Sequence, residues 1–214
     1  MVLASASPRR RELLQGLGLA FIVRAAQIDE SPHQGEAPTE YVLRLAAEKA
    51  AARAEPGELV LGADTVVILD GEILGKPQDP PDARSMLGRL AGREHTVLTG
   101  IALREPGRSR QAATVDSSRV RLAPMEAAEI EWYVATGEPL DKAGSYAVQG
   151  LGAIFVEAVF GSYTNVVGLP LPTLYRLLGE WGYDLRDFRL GWSGQSERHQ
   201  PAERAGAAPL SPRT

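Results

Sequence analysis

The spacing of apolar residues switches along the chain between helical and strand-like periods, and the switches predict an α/β order of elements. A strand end at Leu3-Ala4 runs into Ser7-Pro8. Serine is a good helix N-cap and proline suits the first helical position, so a helix is expected over 8–17. An apolar strand over 21–25 and a polar loop over 27–38 containing Asp29 and Glu30 follow. Val42, Leu45, Ala46 and Ala50 then recur at helical spacing, predicting a helix over 39–54 stopped by Pro56-Gly57. The short apolar run 59–63 reads as a buried strand, with Asp64 and Thr65 at or just past its polar break. A hairpin is predicted next, from 66–69 through Asp70-Gly71 to 72–75, because Asp-Gly between apolar runs favours a tight turn. Lys76-Pro77 follows directly.

A helix over 81–90 and two long strands, 94–103 and 112–122, come after it; strands of that length imply a mixed sheet. A helix over 124–133 is broken by Thr136-Gly137-Glu138-Pro139, and a glycine-rich segment over 141–152 leads into an apolar strand over 153–159. A helix over 170–181 closes the core. From Gly191 onward almost nothing apolar remains, so the reading is one domain over 1–190 and a disordered tail over 191–214. No internal repeat is evident.

Composition narrows the function. A chain of 214 residues, 44% hydrophobic, can bury one sizeable core. Lys and Arg number 23 against 27 Asp and Glu, a net charge of −4, which speaks against a general nucleic-acid or anionic-membrane binder and requires any positive site to be local. No apolar run reaches the roughly 18 residues that span a bilayer, and the first residues lack a secretory pattern, so a cytoplasmic protein is expected. The absence of cysteine excludes disulfides, zinc–thiolate sites and thiol nucleophiles. His33, His95 and His199 show no metal-ligand spacing, and each reads as solvated or locally bonded.

The candidate chemistry is electrostatic. Arg9, Arg10 and Arg11 crowd the first turn of a helix, where they oppose its dipole; a phosphate there would resolve the conflict, since arginine offers a bidentate fork and the helix start offers N–H donors. Otherwise the three side chains simply splay into solvent. Asp64 can ligate Mg²⁺ or Mn²⁺, orient a water, or merely cap a turn. Lys76 in Gly-Lys-Pro can aim a point charge at a phosphate, though nothing here matches the Walker pattern. The Gln149 amide, with paired donor and acceptor, can read a nucleobase edge. Together Arg9, Arg10, Lys49, Lys76, Asp64, Glu30 and Gln149 suit a nucleoside triphosphate with a divalent metal.

Several ordered strings sharpen this: LASASPRRRELL, the A-x-x-K-A around Lys49, LGADTVV-x-LDGEILGKP, EPLDKAGSYAVQGLGA and VVGLPL. Over about residues 3–180 they resemble the Maf family of nucleotide pyrophosphatases. The resemblance implies an elongated mixed β-sheet flanked by helices, like that of the inosine-triphosphate pyrophosphatases, with two lobes around a cleft. It implies hydrolysis of a nucleoside triphosphate to monophosphate and pyrophosphate with a divalent cation. Asp64 then takes the place of the family's proton acceptor, and Ser5, Arg9, Arg10, Lys49 and Lys76 that of its substrate-contacting set. Asp64 is also the expected metal ligand, with Glu30 as a second carboxylate. Arg9, Thr65 and Gln149 resemble the trio of the branch acting on dTTP and UTP; the 7-methyl-GTP branch tends to carry Trp at the first position and an acidic residue at the third. A homodimer is compatible with the resemblance. Two other functions stay open: a nucleotide-binding regulator of septum formation, and a purine pyrophosphatase acting on inosine or xanthosine triphosphate.

Overall fold

The structure, a computed structural model, describes residues 1–189. The expected tail over 191–214 lies outside the described residues. A seven-stranded mixed sheet runs in the order β2 (Ile22–Val23), β1 (Val2–Leu3), β3 (Val60–Leu69), β5 (Glu94–Glu105), β6 (Arg110–Leu122) and β7 (Val156–Phe160), with β4 (Glu72–Leu74) also on β3. β2, β1 and β3 are parallel; every other pairing is antiparallel. The helices are α1 (Pro8–Gly16), α2 (Pro38–Ala52), α3 (Pro80–Leu90), α4 (Ala127–Ala135), α5 (Tyr163–Val167) and α6 (Leu171–Glu180). The predicted α/β class with a mixed sheet flanked by helices is therefore the observed one.

β3 organises the molecule because alternate residues face opposite sides of the sheet. On one side Leu61 and Ala63 join a core with Leu14, Ile101, Leu103, Leu174 and Leu178, and Val67 and Leu69 join a separate core with Leu87, Leu90, Val97, Val120 and Tyr133. Thr65 falls between the two, paired across the strands with Thr99. This polar interruption separates two lobes. The other side of β3 is covered by α2, which buries Val42, Leu45, Ala46 and Ala50. The helix lies against the strand backbone because of Gly62 and Gly100: a Cβ there would stand 2.1 Å from the Ala46 carbonyl oxygen and 2.3 Å from that of Val42.

Three expectations are corrected, and one helix is added. The sequence suggests a break at Asp64, but β3 is one continuous strand, since β5 pairs with it from Val60 to Ile68 straight through Gly62 and Asp64. Pairing overrides the poor strand propensity of both residues. The strand expected over 21–25 shrinks to Ile22–Val23, both exposed at the sheet edge. The strand expected over 153–159 begins later, after a 3₁₀ segment, Gly150–Phe155. The helix α5 is unanticipated, being too short for periodicity to reveal. Its start is marked by Ser162, whose hydroxyl accepts from the Asn165 N–H at 3.2 Å.

Candidate active site

On its outer edge β3 pairs with β1 at Val60 and Leu61 and with β4 from Val67 to Leu69, so the stretch between has no strand partner there among the described residues. Asp64 and Thr65 stand in this gap, and it opens into a cleft of about 400 Å³. Every site residue named from the sequence lines it: Ser5 in the turn between β1 and α1, Arg9 and Arg10 at the start of α1, Glu30 in the loop before α2, Lys49 on α2, Asp64 and Thr65 on β3, Lys76 after β4, and Gln149 in the glycine-rich segment. Arg11 is elsewhere. The lining holds Arg9, Arg10, Lys49, Lys76 and Lys142 against Glu30, Asp64 and Asp141, so local positive charge coexists with the net negative chain.

Consecutive strand residues point to opposite faces, and two polar clusters result. On the α2 side, the Lys49 ammonium lies 2.7 Å from Asp64 Oδ1 and 2.7 Å from Glu30 Oε1. Lys49 and Asp64 are both buried, whereas the Glu30 side chain is 52% exposed. Burial raises the Asp64 carboxyl above its ordinary value, against the opposing charges of Lys49 and Arg10. A carboxylate so placed is a better proton acceptor than an exposed aspartate.

On the other side, Arg10 donates through Nε to the Gly168 carbonyl at 2.7 Å, through one terminal nitrogen to Ser5 Oγ at 2.9 Å, and through the other to Thr65 Oγ1 at 2.9 Å. Thr65 also meets Thr99 Oγ1 at 3.0 Å, and Thr99 donates to the Asn165 carbonyl. Arg10 is thus largely committed to the protein. The arginine crowding at the helix start is relieved internally rather than only by a ligand, because Arg9 turns across the cleft to Asp141 at 3.2 Å.

Several supporting residues were not foreseen. Tyr41 donates to the Glu30 carbonyl at 2.7 Å, and Arg44 grips Glu36 and the Ser31 carbonyl, so α2 pins the loop that presents Glu30. Tyr41 and Lys49 recur with Leu45 at four-residue intervals on a helix, the one signal that could have linked them. Tyr146 lines the cleft with its hydroxyl 2.7 Å from His95 Nε2, and burial holds the His95 imidazole down at about 4. No group of three or more His, Asp or Glu side chains gathers as a metal site among the described residues. Glu30 and Asp64, which converge on the Lys49 ammonium, are the two carboxylates of the cleft that could share a divalent ion.

The Maf-like protein family matches this chain over residues 1–181. The chain belongs to that family. Among similar proteins, a dTTP/UTP pyrophosphatase from Anaeromyxobacter sp. (strain Fw109-5) is 58% identical, covering 86% of this chain and 91% of that protein. A dTTP/UTP pyrophosphatase from Myxococcus xanthus (strain DK1622) is 53% identical over 86% and 94% of the two chains, and one from Symbiobacterium thermophilum is 47% identical over 86% and 95%. Among solved structures, the Staphylococcus aureus Ham1 protein aligns with a TM-score of 0.43 at 14% identity, over 72% of this chain and 78% of that one.

Proposed function

We propose that this Maf-like protein hydrolyses dTTP and UTP to the monophosphate and pyrophosphate, removing them from the nucleotide pool. The observation that supports this best is the buried Asp64, bridged by Lys49 to Glu30, in a cleft whose other walls present arginines and Gln149. A water oxygen bonds to the α-phosphorus, its proton passes to Asp64, and the bond from that phosphorus to the bridging oxygen breaks, releasing pyrophosphate. Negative charge grows on the leaving group, where Lys76 and Arg9 stabilise it more than they stabilise the ground state. The neighbouring Arg10 holds Thr65 and Ser5 in place. Gln149 offers its amide to the pyrimidine edge. A divalent cation, Mg²⁺ or Mn²⁺, would be held by Asp64 and Glu30 and would neutralise phosphate charge. This reading carries with it a cytoplasmic enzyme, compatible with a homodimer, and no nucleic-acid partner, the last in keeping with the net charge of −4.

The test is a panel of nucleoside triphosphates incubated with the protein and Mg²⁺ or Mn²⁺, with monophosphate and pyrophosphate quantified separately. Release of pyrophosphate chiefly from dTTP and UTP is expected. Preferred turnover of inosine or xanthosine triphosphate would replace this substrate reading, and binding without any turnover would favour a regulator.

A further inference from the structure

Two residues outside the cleft lining, Tyr133 on α4 and Glu138 in the break after it, enclose the segment that carries Gln149. Glu138 Oε1 accepts from the Tyr133 hydroxyl at 2.8 Å and from the Gly152 N–H at 2.8 Å, and Oε2 accepts from the Leu151 N–H at 3.0 Å. The Tyr133 hydroxyl in turn accepts from the Ala147 N–H at 3.1 Å. Backbone on both sides of Gln149 is therefore tied to one carboxylate–phenol pair. Lys142 holds the Glu138 carbonyl at 2.6 Å, fixing the carboxylate's own backbone.

Two glycines of this segment, Gly150 and Gly152, are where the pair needs them. A Cβ at Gly150 would stand 2.5 Å from Glu138 Oε2, and one at Gly152 would stand 2.3 Å from the Tyr133 hydroxyl. Gly150 and Gly152 thus serve the approach of backbone to Glu138 and Tyr133, while Gly144 lies against Val67. Burial pushes the Glu138 carboxyl upward, but the Gly152, Leu151 and Tyr133 hydrogen bonds and the Lys142 charge outweigh it and keep the group ionised. Hydrogen bonds to an ionised acceptor are stronger than neutral ones, which suits a joint that must hold one geometry.

We propose that Glu138, with Tyr133, is a positioning residue that sets the enzyme's base selectivity by fixing the backbone from which Gln149 reaches the pyrimidine. This rests on the reading of Gln149 as the base-reading group. The experiment compares kcat and KM for dTTP and dATP, with thermal midpoints, in the wild type, Glu138→Gln, Gln149→Ala and the double variant. Glu138→Gln keeps the shape but turns one acceptor oxygen into a donor facing an N–H or O–H. Its dTTP-to-dATP ratio of kcat/KM should fall about ten-fold, the scale of one charge-assisted hydrogen bond. The loss should lie mainly in the KM for dTTP, and the double variant should be no less selective than Gln149→Ala alone.

A Glu138→Gln protein with the wild-type ratio overturns the proposal, even with a lowered midpoint, because the contact would then be only structural. So does a loss of selectivity that adds in full to that of Gln149→Ala. If Gln149→Ala itself keeps the wild-type ratio, the base-reading assignment fails and takes this inference with it, while pyrophosphate release from dTTP still upholds the reaction. Should Glu138→Gln not fold, Tyr133→Phe, which deletes only the shared hydroxyl, enters the same comparison with the same expected direction.

Discussion

On the proposed reaction, much of the chemistry rests on two single groups, Asp64 and Lys49. Lys49 balances a buried carboxylate while also reaching Glu30. Replacing Asp64 by Asn preserves shape and removes the acceptor charge, so turnover should fall by about two orders of magnitude or more in a steady-state assay. Near-normal turnover would remove Asp64 from the mechanism. Lys49 lowers a carboxyl that burial raises, so Lys49→Met should drive the Asp64 pKa further up. The sign follows from the proposed reaction: in it Asp64 must be deprotonated to accept a proton, so the acid limb of the kcat/KM profile should move to higher pH. An unmoved limb would assign it to another group. The residue types at these positions were readable, because clustered arginines, a lysine after glycine and an amide in a glycine-rich segment point to a phosphorylated ligand. The Lys49 bridge was not, since Glu30, Lys49 and Asp64 come from three elements and meet only when α2 packs on β3.

The close packing of α2 on β3 positions that bridge. With no side chain at Gly62, the strand backbone can come within van der Waals range of the helix backbone at Ala46 and Ala50. Gly62→Ala forces backbone apart, since the obstructing atoms belong to the helix and cannot rotate away. It should destabilise the protein by about 3 kcal/mol, visible as a lower denaturation midpoint. It should also reduce turnover in the remaining folded protein by drawing Lys49 away from Asp64; unaltered stability and turnover would mean that α2 does not need this approach. The elements best anticipated were α1 and α3, each within one residue of its expected bounds, where proline at the helix start and a clear stop signal coincide. Those least anticipated were β3, whose Gly62 and Asp64 mimic a break, and α5, whose five residues are shorter than two helical turns. Both are held by pairings distant in sequence: β3 by β5, and α5 by Asn165, which donates to the Val97 carbonyl at 3.1 Å and to Ser118 Oγ at 3.0 Å.

Across the whole molecule, the two lobes are joined at the cleft by Arg9 and Asp141, residues separated by most of the chain. An ion pair with an Asp141 side chain 60% exposed contributes only about 0–1 kcal/mol. Asp141→Asn should therefore leave the thermal midpoint nearly unchanged. It removes a negative charge from the cleft and releases Arg9, so the KM for a triphosphate should drop at low ionic strength, and the difference from wild type should fade as salt screens the site. A KM that rises at every salt concentration would show that Asp141 orders Arg9 for the ligand rather than competing with it. By itself the sequence determined the α/β class, the order of most elements and the set of groups suited to a nucleoside triphosphate, because helix caps, turn residues and apolar periods act over a few neighbours. Only the tertiary structure decided that Arg10 is spent on Ser5, Thr65 and Gly168, that Lys49 joins two carboxylates, and that Glu138 ties down the backbone around Gln149. Those pairings join segments far apart in the chain, and no local propensity specifies which buried donor meets which acceptor once the core has closed.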